Sequence, residues 1–151
     1  MMRKCVPLRL DGGEYRLRLT LRGQRRLRER FGEETLQTVL LAAADGERMS
    51  ALLGEALEWE GANNPTTDGE ALYDLLVDAG YHGQERFGAL AFDIAAASGL
   101  LSERQVGQLK DALRETVEQA FGEMLRGARE DGSAHPEMQE ERSDGPFPGA
   151  A

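Results

Sequence analysis

Between Val6 and Leu21 apolar and polar residues alternate one by one. Val6, Leu8 and Leu10 form one apolar run; Tyr15, Leu17, Leu19 and Leu21 form a second, with Arg16, Arg18, Thr20 and Arg22 on its opposite side. A period of two is that of a half-buried β-strand. Asp11-Gly12-Gly13 separates the runs, and an Asp-Gly pair supplies the positive φ values of a tight hairpin turn. The pattern therefore predicts two antiparallel strands within about residues 4–21. An isolated two-stranded ribbon is only marginally stable, so its apolar face requires cover from helices later in the chain.

After Thr20, a candidate N-cap, the period changes. Leu27 and Phe31 stand four apart, arginines surround them, and Gly32 occupies the place of a left-handed C-cap. From there the signals are helical almost throughout. Leu36, Val39, Leu40 and Ala43 mark a helix over Thr35 to Ala44, broken by Asp45-Gly46. Met49, Leu52, Leu53, Ala56 and Leu57 mark the next, ending near Trp59 and Gly61. Gly61 to Thr67 reads as a loop because Pro65 bars a continuous helix. Thr67-Asp68-Gly69-Glu70 resembles a capping box, with Thr67 as the cap, for a helix presenting Leu72, Leu75, Leu76 and Ala79. Phe87, Leu90, Ala91, Ile94 and Ala95 define another over Gln84 to Ser98. Ser102 and Gln105 form a second capping box, opening the longest helix, whose stripe of Val106, Leu109, Leu113, Val117, Phe121, Met124 and Leu125 runs to Gly127 or slightly beyond.

The pattern as a whole predicts an α+β fold, mainly α. An N-terminal β-hairpin packs on a bundle of about five to six helices within a single globular domain, residues 1–129. Residues 130–151 are acidic and rich in Pro and Gly, with too little apolar surface to offset ordering entropy, and are expected to be disordered.

Charge sharpens this picture. Met1 to Arg30 carries ten Lys or Arg against three acids, a local balance of +7 in a chain whose net charge is −9. Such polarity suits nucleic-acid binding, neutralisation within the fold, or contact between copies, which leaves self-association open. The single cysteine, Cys5, excludes an internal disulfide. No apolar h-region follows the basic start, and no apolar run reaches the roughly 20 residues needed to span a bilayer. A soluble cytoplasmic protein without membrane contact is expected.

Catalytic chemistry finds little support. His82, His135 and Cys5 do not match the spacing of a zinc site. The chain has no G-x-S-x-G, P-loop, G-x-G-x-x-G or EF-hand pattern. No catalytic, cofactor-binding or metal-ligating residue is assigned, and a non-enzyme is expected. Two surfaces remain as candidates. Arg22, Arg25 and Arg28, three apart, form one ridge of the basic helix, and Arg26 and Arg30 form another. These suit phosphates, or the carboxylates of an acidic or helical protein. The second candidate is the stripe Leu109, Leu113, Val117, Phe121 and Leu125, which serves either as core or as a helix-binding face. Trp59, the only tryptophan, reads as a core anchor near a helix end.

The order of features has a further likeness. A hairpin of the form G-x-x-Y-x-L-R-L-T-L, a helix closing on R-F-G, a helix ending at LEWEG, another leading to D-A-G-Y, and an A-A-A-S-G-L-L element span about Leu10 to Leu101. Together they resemble the small tail assembly chaperones of long-tailed phages and prophages. The resemblance implies a cytoplasmic, non-enzymatic protein that binds the long helical tape-measure protein and keeps it soluble until tube subunits polymerise around it. It carries over no catalytic motif. The alternative is a nucleic-acid-binding regulator using the basic helix from Arg22 to Arg30.

Overall fold

The computed structural model describes residues 4–133. Among them, two strands precede six helices: β1 (Val6–Leu10), β2 (Gly13–Leu17), α1 (Leu21–Phe31), α2 (Thr35–Ala42), α3 (Gly46–Leu57), α4 (Gly69–Asp78), α5 (Gly83–Ala97) and α6 (Glu103–Ser133). This is the mainly helical α+β architecture that the periodicities predict. The chain divides into two compact units, Met1–Arg114 and Glu115–Ala151, with the boundary inside α6. Residues 130–133 continue α6, so the helix outlasts the expected start of the tail. The remaining part of that tail, 134–151, lies outside the described residues.

In the first unit, the hairpin pairs Val6 with Leu17, Leu8 with Tyr15 and Leu10 with Gly13. That register leaves Asp11-Gly12 as a two-residue turn, with Gly12 at φ 97°, a conformation that glycine adopts without penalty. The apolar face carries Tyr15 and Leu17 into the core, with Val6, Leu8 and Leu10 packed beside them. Alternation persists to Leu21, yet the second strand stops at Leu17. Arg18 N–H donates instead to the Ala56 carbonyl (3.0 Å) and Leu19 N–H to the Ser98 hydroxyl (2.8 Å). The chain thus leaves its strand partner for the ends of α3 and α5 while Leu19 stays buried, which preserves the period without a ladder.

Local capping sets the helix ends. Thr20 Oγ1 accepts from Gly23 N–H at 3.0 Å, and Gly32 closes α1 at φ 66°. Ser102 and Gln105 form the reciprocal capping box of α6: Ser102 N–H donates to Gln105 Oε1 at 2.9 Å, and Gln105 N–H to Ser102 Oγ at 3.1 Å. Two ends differ from the pattern. α2 stops at Ala42, and Asp45 caps α3, accepting from Glu47 N–H at 3.0 Å. For α4 the cap is Asp68 and not Thr67, since its carboxylate accepts from Glu70 and Ala71 N–H (3.0 and 3.2 Å). The one-residue shift makes Gly69 the first helical residue, where α4 meets α3 backbone to backbone.

The helix α3 lies at the centre of this unit, packed against α1, α2, α4, α5 and β2. Met49, Leu52, Leu53, Ala56 and Leu57 are all buried, and their spacing covers one broad helical face. Burying each large side chain of this kind contributes about 1.5–3 kcal/mol, which is the cover that the hairpin requires. The opening turns of α6 belong to the same unit: Val106 is buried, and Leu109 and Leu113 pack against the core. In the second unit, the described residues are the continuation of α6.

Candidate functional site

The helix α1 is fixed to the fold by its apolar residues and by one polar cluster. Leu27 is buried, and Phe31 lies under the Arg48 guanidinium at 4.9 Å from its ring centre. Arg48 in turn grips Glu33 through two bonds of 2.9 and 3.0 Å and also bonds Asp45. Those charge-assisted bonds hold the carboxyls of Glu33 and Asp45 below their ordinary ranges, with the Arg48 bond the largest cause for each. The cluster pins the C-terminal end of α1 to the start of α3, and thereby sets which face of α1 points outward.

With Leu27 turned inward, the five arginines sort into two groups. Arg26 reaches Glu55 and Glu58 on and beside α3 at 3.7 and 3.8 Å, and Arg30 reaches Glu47 at 3.6 Å. Glu55 is nevertheless raised above its ordinary value, because burial outweighs the attraction of Arg26. Among the described residues, none forms an ion pair with Arg22, Arg25 or Arg28, all three of which are exposed. Leu21, 65 % exposed, stands on the same side. The two ridges seen in the sequence are therefore one paired seam and one face without ion pairs, of which Arg22 still attracts the Glu55 carboxylate from a distance.

A groove of about 600 Å³ runs between α3 and α4. Glu47, Glu55, Glu58, Asp68, Glu70 and Asp74 line it, with Arg30 at its edge. No sequence signal marked it, since its acids come from two helices and from the loop that precedes the second. Among the described residues, no group of three or more His, Cys, Asp or Glu side chains is placed to hold a metal ion. None of the described helices is long and apolar enough to cross a membrane.

The apolar stripe of α6 divides. Val106 is buried in the core of the first unit, and Leu109 and Leu113, half-buried, pack against it. Further along, Val117 is half-buried, while Phe121, Met124 and Leu125 are 59, 66 and 48 % exposed. Leu109 and Leu113 thus lie against the core, whereas Phe121 and Leu125 face outward. Trp59 is half-buried and bonds the hairpin, its indole Nε1–H donating to the Arg16 carbonyl at 3.1 Å. Tyr73 and Phe87 stack at 4.8 Å between α4 and α5, with Tyr81 tilted against Phe87.

No protein-family model matches the chain, and neither the curated proteins nor the solved structures contain a match to it.

Proposed function

We propose that this chain is a non-enzymatic binding protein for a long helical partner, acting as a phage tail assembly chaperone that holds the tape-measure protein soluble. The observation that carries the reading is the exposed run of Phe121, Met124 and Leu125 on α6. Large apolar side chains in a row are costly in water, and a row at helical spacing is the shape that an amphipathic partner helix fits. Glu123 lies within that row, Glu115, Glu118 and Arg126 flank it, and all four are exposed. They keep the surface hydrated while leaving the apolar strip open. Holding an aggregation-prone helix needs those two properties and no catalytic group. The order of hairpin, R-F-G helix, LEWEG and D-A-G-Y elements supports the choice of partner.

The test is co-expression with a phage tape-measure protein, scoring capture and solubility of that product. Copurification of a soluble long protein, lost on Phe121→Glu with Leu125→Glu, is the expected result. An insoluble, uncaptured product overturns the reading.

A further inference from the structure

The fold pairs part of the positive charge that opens the chain with acids, and it does so unevenly. Lys4 pairs with Glu103 at 3.4 Å and Arg16 with Glu14 at 3.7 Å. Arg18 turns its guanidinium to the carbonyls of Lys4 and Ala97 at 2.8 and 3.4 Å, and Arg26 and Arg30 are neutralised by α3. What is left on α1 is Arg22, Arg25 and Arg28, three successive positions along one outward ridge with Leu21 beside them. Like charges three apart on a helix repel, and no acid among the described residues forms an ion pair with these three.

We propose that this ridge docks an acidic helix of a protein partner, whose carboxylates recur every three or four residues around an apolar side chain that covers Leu21. The inference concerns a different surface from the α6 row and does not depend on what the partner of that row is. Spacing supports it. Arg22 to Arg28 spans about 9 Å of helix, and carboxylates three or four apart on a facing helix recur at about 5 Å, so two or three guanidinium–carboxylate forks form in one alignment. Such forks are the strong, directional form of ion pair. Leu21 adds an apolar contact that a polyphosphate cannot match.

Nucleic acid fits the same ridge poorly. A duplex carries one charge per about 1.7 Å of its axis, so it overruns a patch of this length at once. The acids of the α3–α4 groove begin on the adjoining helix. No aromatic residue lies between the three arginines to stack a base. A short acidic helix follows the ridge and stops; a long polyanion meets repulsion at its borders.

The experiment uses the full chain carrying Phe121→Glu and Leu125→Glu, so that the α6 row captures nothing. It is the bait for a yeast-displayed library of two-helix hairpins randomised on one face. The expected outcome is enrichment of hairpins with Glu or Asp three or four apart beside a large apolar residue. Purified winners should lose roughly tenfold in affinity when Arg25→Glu and Arg28→Glu are added to the bait, with its circular dichroism unchanged. Replacing Arg22, Arg25 and Arg28 by Lys should cost less than reversal but remain measurable, because charge is kept and the fork is lost. The proposal is overturned if nothing enriches, if the winners lack acids, or if charge reversal leaves their binding intact. It is equally overturned if a 20-base-pair duplex displaces the winners with steep salt dependence, an outcome that assigns the ridge to nucleic acid.

Discussion

The side chain of Asn64 bonds both backbone polar groups of Arg16: its Oδ1 accepts from Arg16 N–H at 2.7 Å, and its Nδ2 donates to the Arg16 carbonyl at 2.8 Å. Arg16 lies on the outer edge of a two-stranded sheet, where such groups otherwise stand unpaired and invite another strand. One amide side chain from the loop between α3 and α4 thus acts as a one-residue third strand. The same Nδ2 donates to the Leu57 carbonyl at 3.0 Å, and Trp59 adds its own bond to the Arg16 carbonyl. The loop, the end of α3 and the hairpin form one hydrogen-bonded unit.

The first prediction follows from that unit. Asn64→Ala removes three bonds to half-buried groups, and a loss of about 2 kcal/mol is expected. Amide exchange should accelerate most at Arg16. Asn64→Asp keeps the acceptor but sets a carboxylate against two carbonyl oxygens, so its destabilisation should ease as the pH falls and the acid gains a proton to donate. Equal loss at all pH values would show that the pairing contributes little.

The contact between α3 and α4 gives a second. A β-carbon at Gly69 would fall on the Ser50 carbonyl and lie 2.5 Å from Gly54 N. Both obstacles are backbone, so the helices themselves must part. Gly69→Ala should therefore cost about 3 kcal/mol. Gly107, on α6 with nothing within 4 Å of its notional β-carbon, is the control: Gly107→Ala should stabilise by about 0.5–1 kcal/mol through helix propensity. Chemical denaturation of both variants checks the pair, and a harmless Gly69→Ala would mean that the two helices have room to slide.

Arg48 supplies a pH dependence. Glu33 and Asp45 have folded pKa values below their ordinary 4.5 and 3.8. A depressed carboxyl stabilises the fold fully above its unfolded value, and that contribution is lost as the pH falls through the folded one. Glu55 acts in the opposite direction: its raised value means that protonation relieves a burial penalty as acid is added. Arg48→Met should therefore lower stability at neutral pH and flatten the acid limb between about pH 5 and pH 2. Glu55→Gln should leave that limb in place and remove the opposing slope at its upper end. Thermal melts across this range separate the two; an unchanged acid limb in Arg48→Met would exclude the cluster as its source.

Much of the fold was legible because its signals are local. The Asp11-Gly12 turn, the Gly32 cap and the Ser102–Gln105 box each depend on residues within a few positions of one another. The limits of the second strand and the cap of α4 were not legible, since Ala56, Ser98 and the α3 backbone at Ser50 and Gly54 decide them from a distance. The candidate surfaces show the same division. Sequence spacing alone grouped Arg22, Arg25 and Arg28 apart from Arg26 and Arg30. Only the fold revealed that the second group meets Glu47, Glu55 and Glu58, because those acids lie a helix or more away. On α6 the periodicity is continuous, so nothing in the sequence marks where core packing gives way to open surface.

That division of α6 yields the last prediction. Val106 is 5 % exposed and lies in the core, whereas Phe121 and Leu125 are at least 48 % exposed. Substitution by acid should therefore have opposite consequences along a single stripe. Val106→Asp places a carboxylate among apolar side chains, and a loss of about 3 kcal/mol or more is expected. Phe121→Glu with Leu125→Glu removes apolar surface that water already reaches, so the melting temperature and helical circular dichroism should hold within experimental error. Capture of a helical partner should disappear in the double variant at the same time. If Phe121→Glu with Leu125→Glu unfolds the protein as Val106→Asp does, the two residues are core and the helix-binding face must be sought elsewhere. If the variant stays folded and still captures the partner, the apolar row is a bystander. Only retained fold together with lost capture is consistent with a row of apolar side chains kept open for another helix.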